Sequence, residues 1–179
     1  MIYSVGIAGR IASGKSSISA VLASRLGWKR ASFGDFVRSL AAQRGLEPTR
    51  EVLQGIGEEL EALDSVAFCS DLLASAGWHN GDPIVIDGIR HVRILENLKN
   101  IVAPQRLLFV YLEAQDDTRR VRFAQREGSN AELLTAVESH STEREVISRL
   151  PDLADLRLSN DDGAEEELVD IILRKLATD

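Results

Sequence analysis

The chain has little cysteine, histidine or proline: one cysteine, three histidines and four prolines in 179 residues. A single thiol, Cys69, excludes a disulfide within the chain and a cysteine-rich metal site. His79, His91 and His140 lack the spacing of metal ligands, so no structural metal is expected. No apolar run approaches the ~20 residues that span a bilayer, so no membrane partner is expected. The N-terminal residues MIYSVGIAGR lack the basic start and long apolar core of a signal peptide, which favours a cytoplasmic protein.

Positive charge is also in the minority. The chain has 28 Asp and Glu residues against 21 Lys and Arg residues, a formal net charge of −7. Nucleic-acid-binding proteins neutralise phosphates with clustered Lys and Arg, so nucleic acid is not expected as a partner. The hydrophobic fraction of 44% is enough to bury a core. With no repeat and no linker-like segment, residues 1–179 are expected to form one domain, and the oligomeric state stays open.

Short apolar strands alternate with helices along the chain. Strands are predicted at residues 2–7, 28–33, 83–87, 107–112 and 156–158. Helices are predicted at residues 16–26, 36–44, 49–63, 65–76, 92–100, 116–127, 131–148 and 165–176. This alternation predicts an α/β fold, a three-layer sandwich with about five parallel strands and helices on both faces. Ligands bind such a sheet beyond the carboxyl ends of its strands.

Residues 9–16, GRIASGKS, match the pattern G-x-x-x-x-G-K-[ST] of the phosphate-binding loop (P-loop), between a predicted strand and a predicted helix. The glycines let successive backbone N–H groups point at phosphate oxygens, and the following helix presents its positive end to the same anion. Lys15 is predicted to reach the β- and γ-phosphates of ATP, and Ser16 to ligate Mg²⁺. The predicted nucleotide-binding residues of this P-loop NTPase are Gly9, Ala12, Ser13, Gly14, Lys15, Ser16 and Ser17.

A second carboxylate is expected near the loop, at the end of a neighbouring strand. Asp87 closes the apolar run Pro-Ile-Val-Ile-Asp and is therefore the predicted metal ligand beside Ser16. The alternative is that Asp87 only caps the following turn. The sequence lacks the N-K-x-D run that reads guanine, so a signalling GTPase is not expected, although GTP stays open as a donor.

Three segments together resemble the nucleoside monophosphate kinase family: residues 9–16, residues 32–38 (SFGDFVR) and residues 87–90 (DGIR). Adenylate, cytidylate and phage-type deoxynucleotide kinases are members, and dephospho-CoA kinase is related. The resemblance implies that Arg38 and Arg90 bind the acceptor, although DGIR lacks the proline of the family's D-G-x-P-R. It also implies a helical acceptor-binding insertion near residues 36–76 and a short lid near residues 119–145.

An arginine-rich helix follows the fourth predicted strand. Arg119, Arg122 and Arg126 are spaced i, i+3 and i+7, which places them on one helical face. The resemblance implies that Arg122 and Arg126 close over the transferring phosphates and that Arg144 is a further lid arginine. The alternative is a solvated face paired with acidic neighbours. Asn160, after the last strand, is expected from the resemblance to contact the donor base.

Asp35 separates two kinds of kinase. The phosphate of a nucleoside monophosphate is already largely a dianion at neutral pH and needs no general base. A hydroxyl acceptor, such as the ribose of dephospho-CoA, must lose a proton, and a positioned Asp assists that loss. The sequence leaves open whether Asp35 acts as a catalytic base or in substrate binding. Phe33 and Phe36 flank the predicted acceptor site and are candidates for stacking on a base.

These features predict an ATP- and Mg²⁺-dependent phosphotransferase that acts on a nucleotide-like small molecule, in the first place a (deoxy)nucleoside monophosphate. A kinase of dephospho-CoA or of another hydroxyl acceptor is the alternative. A third hypothesis, a regulatory protein that binds nucleotide without turnover, leaves the arginine-rich helix without a role.

Overall fold

The computed structural model describes residues 3–127, 134, 138 and 141–178, without the side chains of residues 126, 127, 141 and 142. Within these residues, five parallel strands form one sheet: β1 (Tyr3–Gly9), β2 (Lys29–Ser32), β3 (Ile84–Asp87), β4 (Arg106–Glu113) and β5 (Leu156–Ser159). Their order across the sheet is β2-β3-β1-β4-β5. The predicted α/β class with five parallel strands is confirmed.

Helices cover both faces of this sheet. They are α1 (Lys15–Leu26), α2 (Phe33–Gln43), α3 (Arg50–Ser75), α4 (Val92–Ile101), α5 (Asp116–Glu127), α6 (Ser141–Ser148) and α7 (Glu165–Thr178), with a short 3₁₀ helix at Leu150–Leu153. Successive strand residues point to opposite faces. On β3, Ile84 and Ile86 therefore pack in the core formed with α2, α3 and α4, whereas Val85 packs in the core formed with α1 and α7.

Helix α3 is divided by a break at Asp64, whose backbone is extended (φ −156°, ψ 95°). Thr49 caps the first half, because its Oγ1 accepts a hydrogen bond from Val52 N at 3.3 Å. Asp64 caps the second half, since its Oδ1 accepts from Val66 N at 3.0 Å and Ala67 N at 2.9 Å. The prediction of two helices, at residues 49–63 and 65–76, is confirmed by this break.

The main difference in boundaries is at α2, which begins at Phe33 rather than at residue 36. Ser32 is its N-cap and accepts a hydrogen bond from Asp35 N at 3.3 Å, so β2 passes directly into the helix. The helix predicted at residues 131–148 is tested only where residues are described, and there α6 covers Ser141–Ser148. No helix in the described part of the chain is long and apolar enough to cross a membrane.

Candidate active site

The carboxyl ends of β1, β2 and β3 meet at one edge of the sheet. Asp87, the last residue of β3, is in register with Ile7 of β1 and with Ser32 of β2. Gly88 N donates a hydrogen bond to Ile7 O at 3.1 Å, which holds the turn after β3 against β1. The phosphate-binding loop, Asp87 and the start of α2 therefore lie together, as expected for a site beyond the ends of parallel strands.

The loop at residues 9–16 joins β1 to α1 and turns back on itself. Ser13 N donates to Arg10 O at 3.2 Å, and Lys15 Nζ donates to the same carbonyl at 3.0 Å. Three residues of the loop have positive φ angles, Gly9 (156°), Ala12 (62°) and Gly14 (92°). Such a conformation is unfavourable for alanine, and strain of this kind is often stored at functional loops. The backbone thus has the sharp curvature that the motif predicts.

Asn160, in the turn after β5, contacts this loop and holds its backbone. Its side chain is only 2% exposed, and its Nδ2 donates to Ser13 O at 2.9 Å. Its backbone N donates to Glu113 O at 2.8 Å, which fixes the turn to β4. A Cβ atom at Gly14 would collide with the Asn160 amide, so this position requires glycine. Contact between Asn160 and a donor base stays a prediction; the observed hydrogen bond gives the amide a role in holding the loop.

Arg119 ties α5 to the same loop and is 1% exposed. Its Nη1 donates to Ile11 O at 3.2 Å, and its Nη2 donates to Asp116 Oδ1 at 2.6 Å. Glu138 pairs with Arg119 and with Arg10, at 2.8 Å from Arg10 Nη2. Burial lowers the pKa of Arg119, but hydrogen bonds to Glu138 and Asp116 outweigh burial and raise the pKa above its ordinary value. Arg119 is therefore a charged structural link between α5 and the loop.

The three arginines predicted to close over the phosphates, Arg122, Arg126 and Arg144, differ in their surroundings. Arg122 lines a groove between α5 and the turn after β5, and its Nη1 donates to Asn160 O at 2.7 Å. The side chain of Arg126 lies outside the described residues. Arg144, on α6, has an exposed side chain and does not line the cavity between the loop, α2, α3 and the turn after β3. The lid roles of Arg122, Arg126 and Arg144 stay predictions.

Arg30, on β2, links the two acids that the sequence singles out. Its Nη2 donates to Asp87 Oδ2 at 2.9 Å, and its Nη1 donates to Asp35 Oδ2 at 3.2 Å. Its Nε donates to Ser19 Oγ at 2.8 Å, and Ser19 in turn donates to Ser16 O at 2.9 Å. Sequence reasoning missed Arg30, because in the run Lys-Arg-Ala-Ser nothing shows that this cation faces the site. We name this arrangement the Arg30 clamp.

Asp87 and Ser16 fit a Mg²⁺ ion. Asp87 is buried, and its Oδ1 has no hydrogen-bond partner among the residues that the structure describes. A buried carboxylate oxygen without a partner is costly, and Mg²⁺ prefers such oxygen ligands. The exposed Ser16 lines the same cavity as Asp87. The donor set predicted for the metal is thus available at one place.

A cavity of 290 Å³ lies between the loop, α2, α3 and the turn after β3. We call it the acceptor cavity, because Arg38 and Arg90, which are predicted to bind the acceptor, line it. Four of its lining residues carry fixed positive charge: Lys15, Arg38, Arg50 and Arg90. Asp87 is the one carboxylate among the described residues that line it. The predicted Lys15, Arg38, Arg90 and Asp87 are therefore brought together.

Asp35 lies at the rim of this group and pairs with Arg30 and with Arg38. Partial burial raises the pKa of Asp35. The hydrogen bond to the Ser32 side chain and the charges of Arg38 and Arg30 lower it by more, so the pKa lies below its ordinary value. A carboxylate with a lowered pKa is a weak proton acceptor at neutral pH. The surroundings of Asp35 therefore favour a role as an anion that orients arginines.

Arg90 forms an ion pair with Glu143, a buried residue of α6. Burial and the positive charge of Arg50 lower the pKa of Arg90 to about 10, although Asp87 raises it, so the side chain stays charged at neutral pH. Arg50 also lies over the ring of Phe123, at 5.3 Å from the centroid. The sequence did not identify Arg50 as a site residue, although it opens a helix beside the predicted acceptor site.

Comparisons with known proteins show which family the chain resembles. Residues 5–146 match the model of a family described as AAA domain. The chain is 30% identical over 183 residues to a UPF0200 protein of Methanothrix thermoacetophila, a match that covers 96% of this chain and 97% of that protein. It is 31% identical over 134 residues to a UPF0200 protein of Aeropyrum pernix, covering 75% and 70%.

Solved structures with similar folds include a shikimate kinase and a gluconokinase. The shikimate kinase from Acinetobacter baumannii in complex with shikimate superposes with a TM-score of 0.64 at 16% identity, covering 99% of this chain and 94% of that one. A gluconokinase from Sinorhizobium meliloti superposes with a TM-score of 0.61 at 19% identity, covering 97% and 91%. At this identity the likeness shows the fold alone, a parallel sheet with helices on both faces.

Proposed function

We propose that this chain, which belongs to the AAA domain family and to the UPF0200 proteins, is a kinase that transfers the γ-phosphoryl group of ATP to a (deoxy)nucleoside monophosphate. The observation that carries the proposal is the charge of the acceptor cavity. Four cationic residues line it against Asp87, in a chain with a net charge of −7. Two phosphate-bearing substrates need concentrated positive charge, because catalysis consists mainly of positioning and neutralising them.

In this reaction the bond between the γ-phosphorus and the β-phosphate oxygen breaks, and a bond forms from that phosphorus to a phosphate oxygen of the acceptor. ADP and a nucleoside diphosphate are the products. Lys15 would neutralise the transferring group, and Arg38, Arg50 and Arg90 would bind the acceptor phosphate. Ser16 and Asp87 would hold Mg²⁺, which supplies further positive charge to the phosphates of ATP.

The state of Asp35 supports a phosphate acceptor over a hydroxyl acceptor. A general base needs a pKa near the working pH, and the pairing of Asp35 with Arg30 and Arg38 moves its pKa the other way. A monophosphate requires no base, because its phosphate is already ionised.

A hydroxyl kinase is the second candidate. The similar folds include proteins named shikimate kinase and gluconokinase, and Asp35 lies beside the acceptor cavity, where a base for a hydroxyl would be needed. Under this alternative, acceptor binding would have to release Asp35 from its two arginines.

The test is ADP release from Mg·ATP with a panel of acceptors: AMP, CMP, UMP, GMP, their deoxy forms, dephospho-CoA, shikimate and gluconate. Lys15→Ala is the inactive reference, and Lys99→Ala, an exposed lysine on α4, is the matched control. We expect a monophosphate to stimulate ADP release. The stimulated rate should fall at least about 10²-fold in Lys15→Ala and stay unchanged in Lys99→Ala. Stimulation by a hydroxyl acceptor alone would replace this proposal with the second candidate.

A further inference from the structure

One wall of the acceptor cavity is a single face of the first half of α3. Four residues of this helix line the cavity there: Arg50, Leu53, Gln54 and Gly57. They are spaced i, i+3, i+4 and i+7, which is the repeat of one helical face. Arg50 supplies charge at the start of this face, and the other three residues continue it away from the charge. We call Leu53, Gln54 and Gly57 the α3 wall.

Gln54 is the polar member of the α3 wall, and its amide is incompletely bonded. Its Nε2 is buried and has no hydrogen-bond acceptor within residues 3–127 or the other described positions. A buried amide nitrogen is costly when unpaired, and each such group in a folded protein calls for an explanation. An acceptor atom on a molecule bound in the cavity would provide the missing partner.

Gly57 is the member of the α3 wall that leaves space. A Cβ atom built at this position meets no heavy atom within 4 Å, although the residue lines the cavity. Glycine inside a helix costs about 0.5–1 kcal/mol relative to alanine. Glycine at residue 57 is explained, despite this cost, if any larger side chain would fill a volume that the substrate needs.

The surroundings of the α3 wall are apolar. Val37, Phe68 and Ile94 line the cavity beside it, and the ring of Phe33 meets that of Phe68 edge to face at 5.1 Å between centroids. A hydroxylated acid has a polar group on most carbons, and each would need a partner when buried. A flat ring with few polar edge atoms suits apolar walls and one amide far better.

We propose that the α3 wall is the base subsite of the acceptor cavity, and that Gln54 determines which nucleobase is accepted. The Gln54 amide donates a hydrogen bond to a carbonyl oxygen or ring nitrogen of the base, and Gly57 leaves room for the ring. Arg38, Arg50 and Arg90 bind the phosphate at the other end of the same nucleotide. The inference rests on the proposed function, since it assigns the acceptor as a nucleotide.

The space at Gly57 is tested with a matched pair of variants. Gly57→Leu places a side chain into the cavity, whereas Gly55→Leu makes the same change at an exposed residue of the same helix that does not line the cavity. Kinetics with the best monophosphate and ATP binding by calorimetry are measured for both. We expect kcat/KM for the monophosphate to fall at least about 100-fold in Gly57→Leu and at most about twofold in Gly55→Leu, with ATP affinity unchanged. Equal effects of the two variants would overturn the space argument.

The readout for Gln54 is discrimination between bases. In Gln54→Leu, kcat/KM for the preferred base should fall about 10-fold or more, and the ratio between the best and worst bases should shrink by the same factor. Gln43→Leu, an exposed residue of α2, is the control. If the wild type is active on monophosphates and the ratio between bases is unchanged in Gln54→Leu, the role of Gln54 is overturned while the proposed function stands. Absence of wild-type turnover with every monophosphate overturns the proposed function, and this inference with it.

Discussion

Arg30 Nη2 lies 2.9 Å from Asp87 Oδ2, and the same guanidinium reaches Asp35 through Nη1 at 3.2 Å. One cation thus separates two carboxylates that would otherwise repel each other at the edge of the acceptor cavity. A planar guanidinium can make such contacts in several directions at once, which a lysine ammonium on a flexible stem cannot match. The clamp leaves Asp87 Oδ1 without a partner among the described residues, on the carboxylate predicted to bind the metal.

Loss of the Arg30 clamp is expected to disturb Asp87 more than the fold. In Arg30→Met, Asp87 keeps its burial but loses its cation, so we expect the free energy of unfolding to fall by about 1–3 kcal/mol. We also expect weaker Mn²⁺ binding in the presence of ATP, measured by electron paramagnetic resonance. Arg30→Lys should recover part of the stability and little of the metal affinity.

The control for Arg30 is Arg25→Met, which removes an exposed arginine that pairs with Glu166 and Asp170 on the surface. Surface pairs of this kind contribute about 0–1 kcal/mol. Arg30→Met with metal affinity equal to that of Arg25→Met would show that the clamp does not position Asp87.

Asp35→Asn should have a small effect on catalysis. If the acceptor is a monophosphate, kcat should fall less than about 10-fold, because no proton has to be removed; a general base would cost about 10²–10⁴-fold. The measurement is kcat for the best acceptor across pH. A loss in the larger range, accompanied by the disappearance of an acidic pKa from the pH profile, would establish Asp35 as the base.

The lowered pKa of Asp35 also determines how its contribution to the free energy of unfolding changes with pH. A carboxyl whose folded-state pKa is depressed stabilises the fold at pH values above its unfolded-state pKa, ordinarily 3.8, and loses this contribution as pH falls through the folded value. Asp35→Asn should therefore reduce stability at neutral pH and make little difference in strong acid. Chemical denaturation at both pH values measures the difference.

Asn160→Ala should weaken nucleotide binding without removing any group from the loop. The Asn160 amide donates to Ser13 O from beneath, so its loss frees the loop backbone and leaves that carbonyl without this partner. We expect the dissociation constant for ATP to rise about 10-fold, by calorimetry, as for the loss of one hydrogen bond. Asn97→Ala, which breaks a hydrogen bond to Ser65 in another part of the molecule, serves as the control. Equal ATP affinity in the two variants would refute the supporting role.

Cys69 gives a probe of global unfolding. Burial, and to a smaller extent the negative charge of Glu61, raise the pKa of this thiol to about 12. Because the thiolate is the reactive form, the native protein should not react with an aromatic disulfide reagent at pH 8. One thiol per chain should react once guanidinium unfolds the protein. Rapid stoichiometric reaction of the native protein would contradict the burial of this residue.

The features that the sequence predicted well are those with a local physical cause. The sharp turn of residues 9–16 follows from its glycines and from its place between a strand and a helix. Helix α5 begins at Asp116 and ends at Glu127 as predicted. Alternation of strands and helices was enough for the parallel sheet, because crossovers of that kind have few alternatives.

The features that the sequence did not predict depend on contacts between distant segments. Arg30 and Lys29 are adjacent cations on β2, and only the fold directs Arg30 to Asp87. Arg119 shares its helical face with Arg122, yet Glu138 and Asp116 hold it as a buried link. The N-cap role of Ser32, which starts α2 early, depends on local backbone geometry that apolar periodicity does not show.

The break at Asp64 divides α3 into two halves that differ in their surroundings. Before it, residues 50–63 present Arg50 and the α3 wall to the cavity. After it, residues 65–75 bury Cys69 and Leu72 in the core, and Phe68 lies both in the core and in the cavity wall. Because the second half starts from its own cap, a change in the first half need not be transmitted along a continuous helix. If the α3 wall binds the base, substitutions on that face should alter which molecule is bound, whereas substitutions of Cys69 or Leu72 should alter the stability of the fold. The cavity face of the first half, about four turns of helix, can then change in sequence while the second half keeps its place in the core.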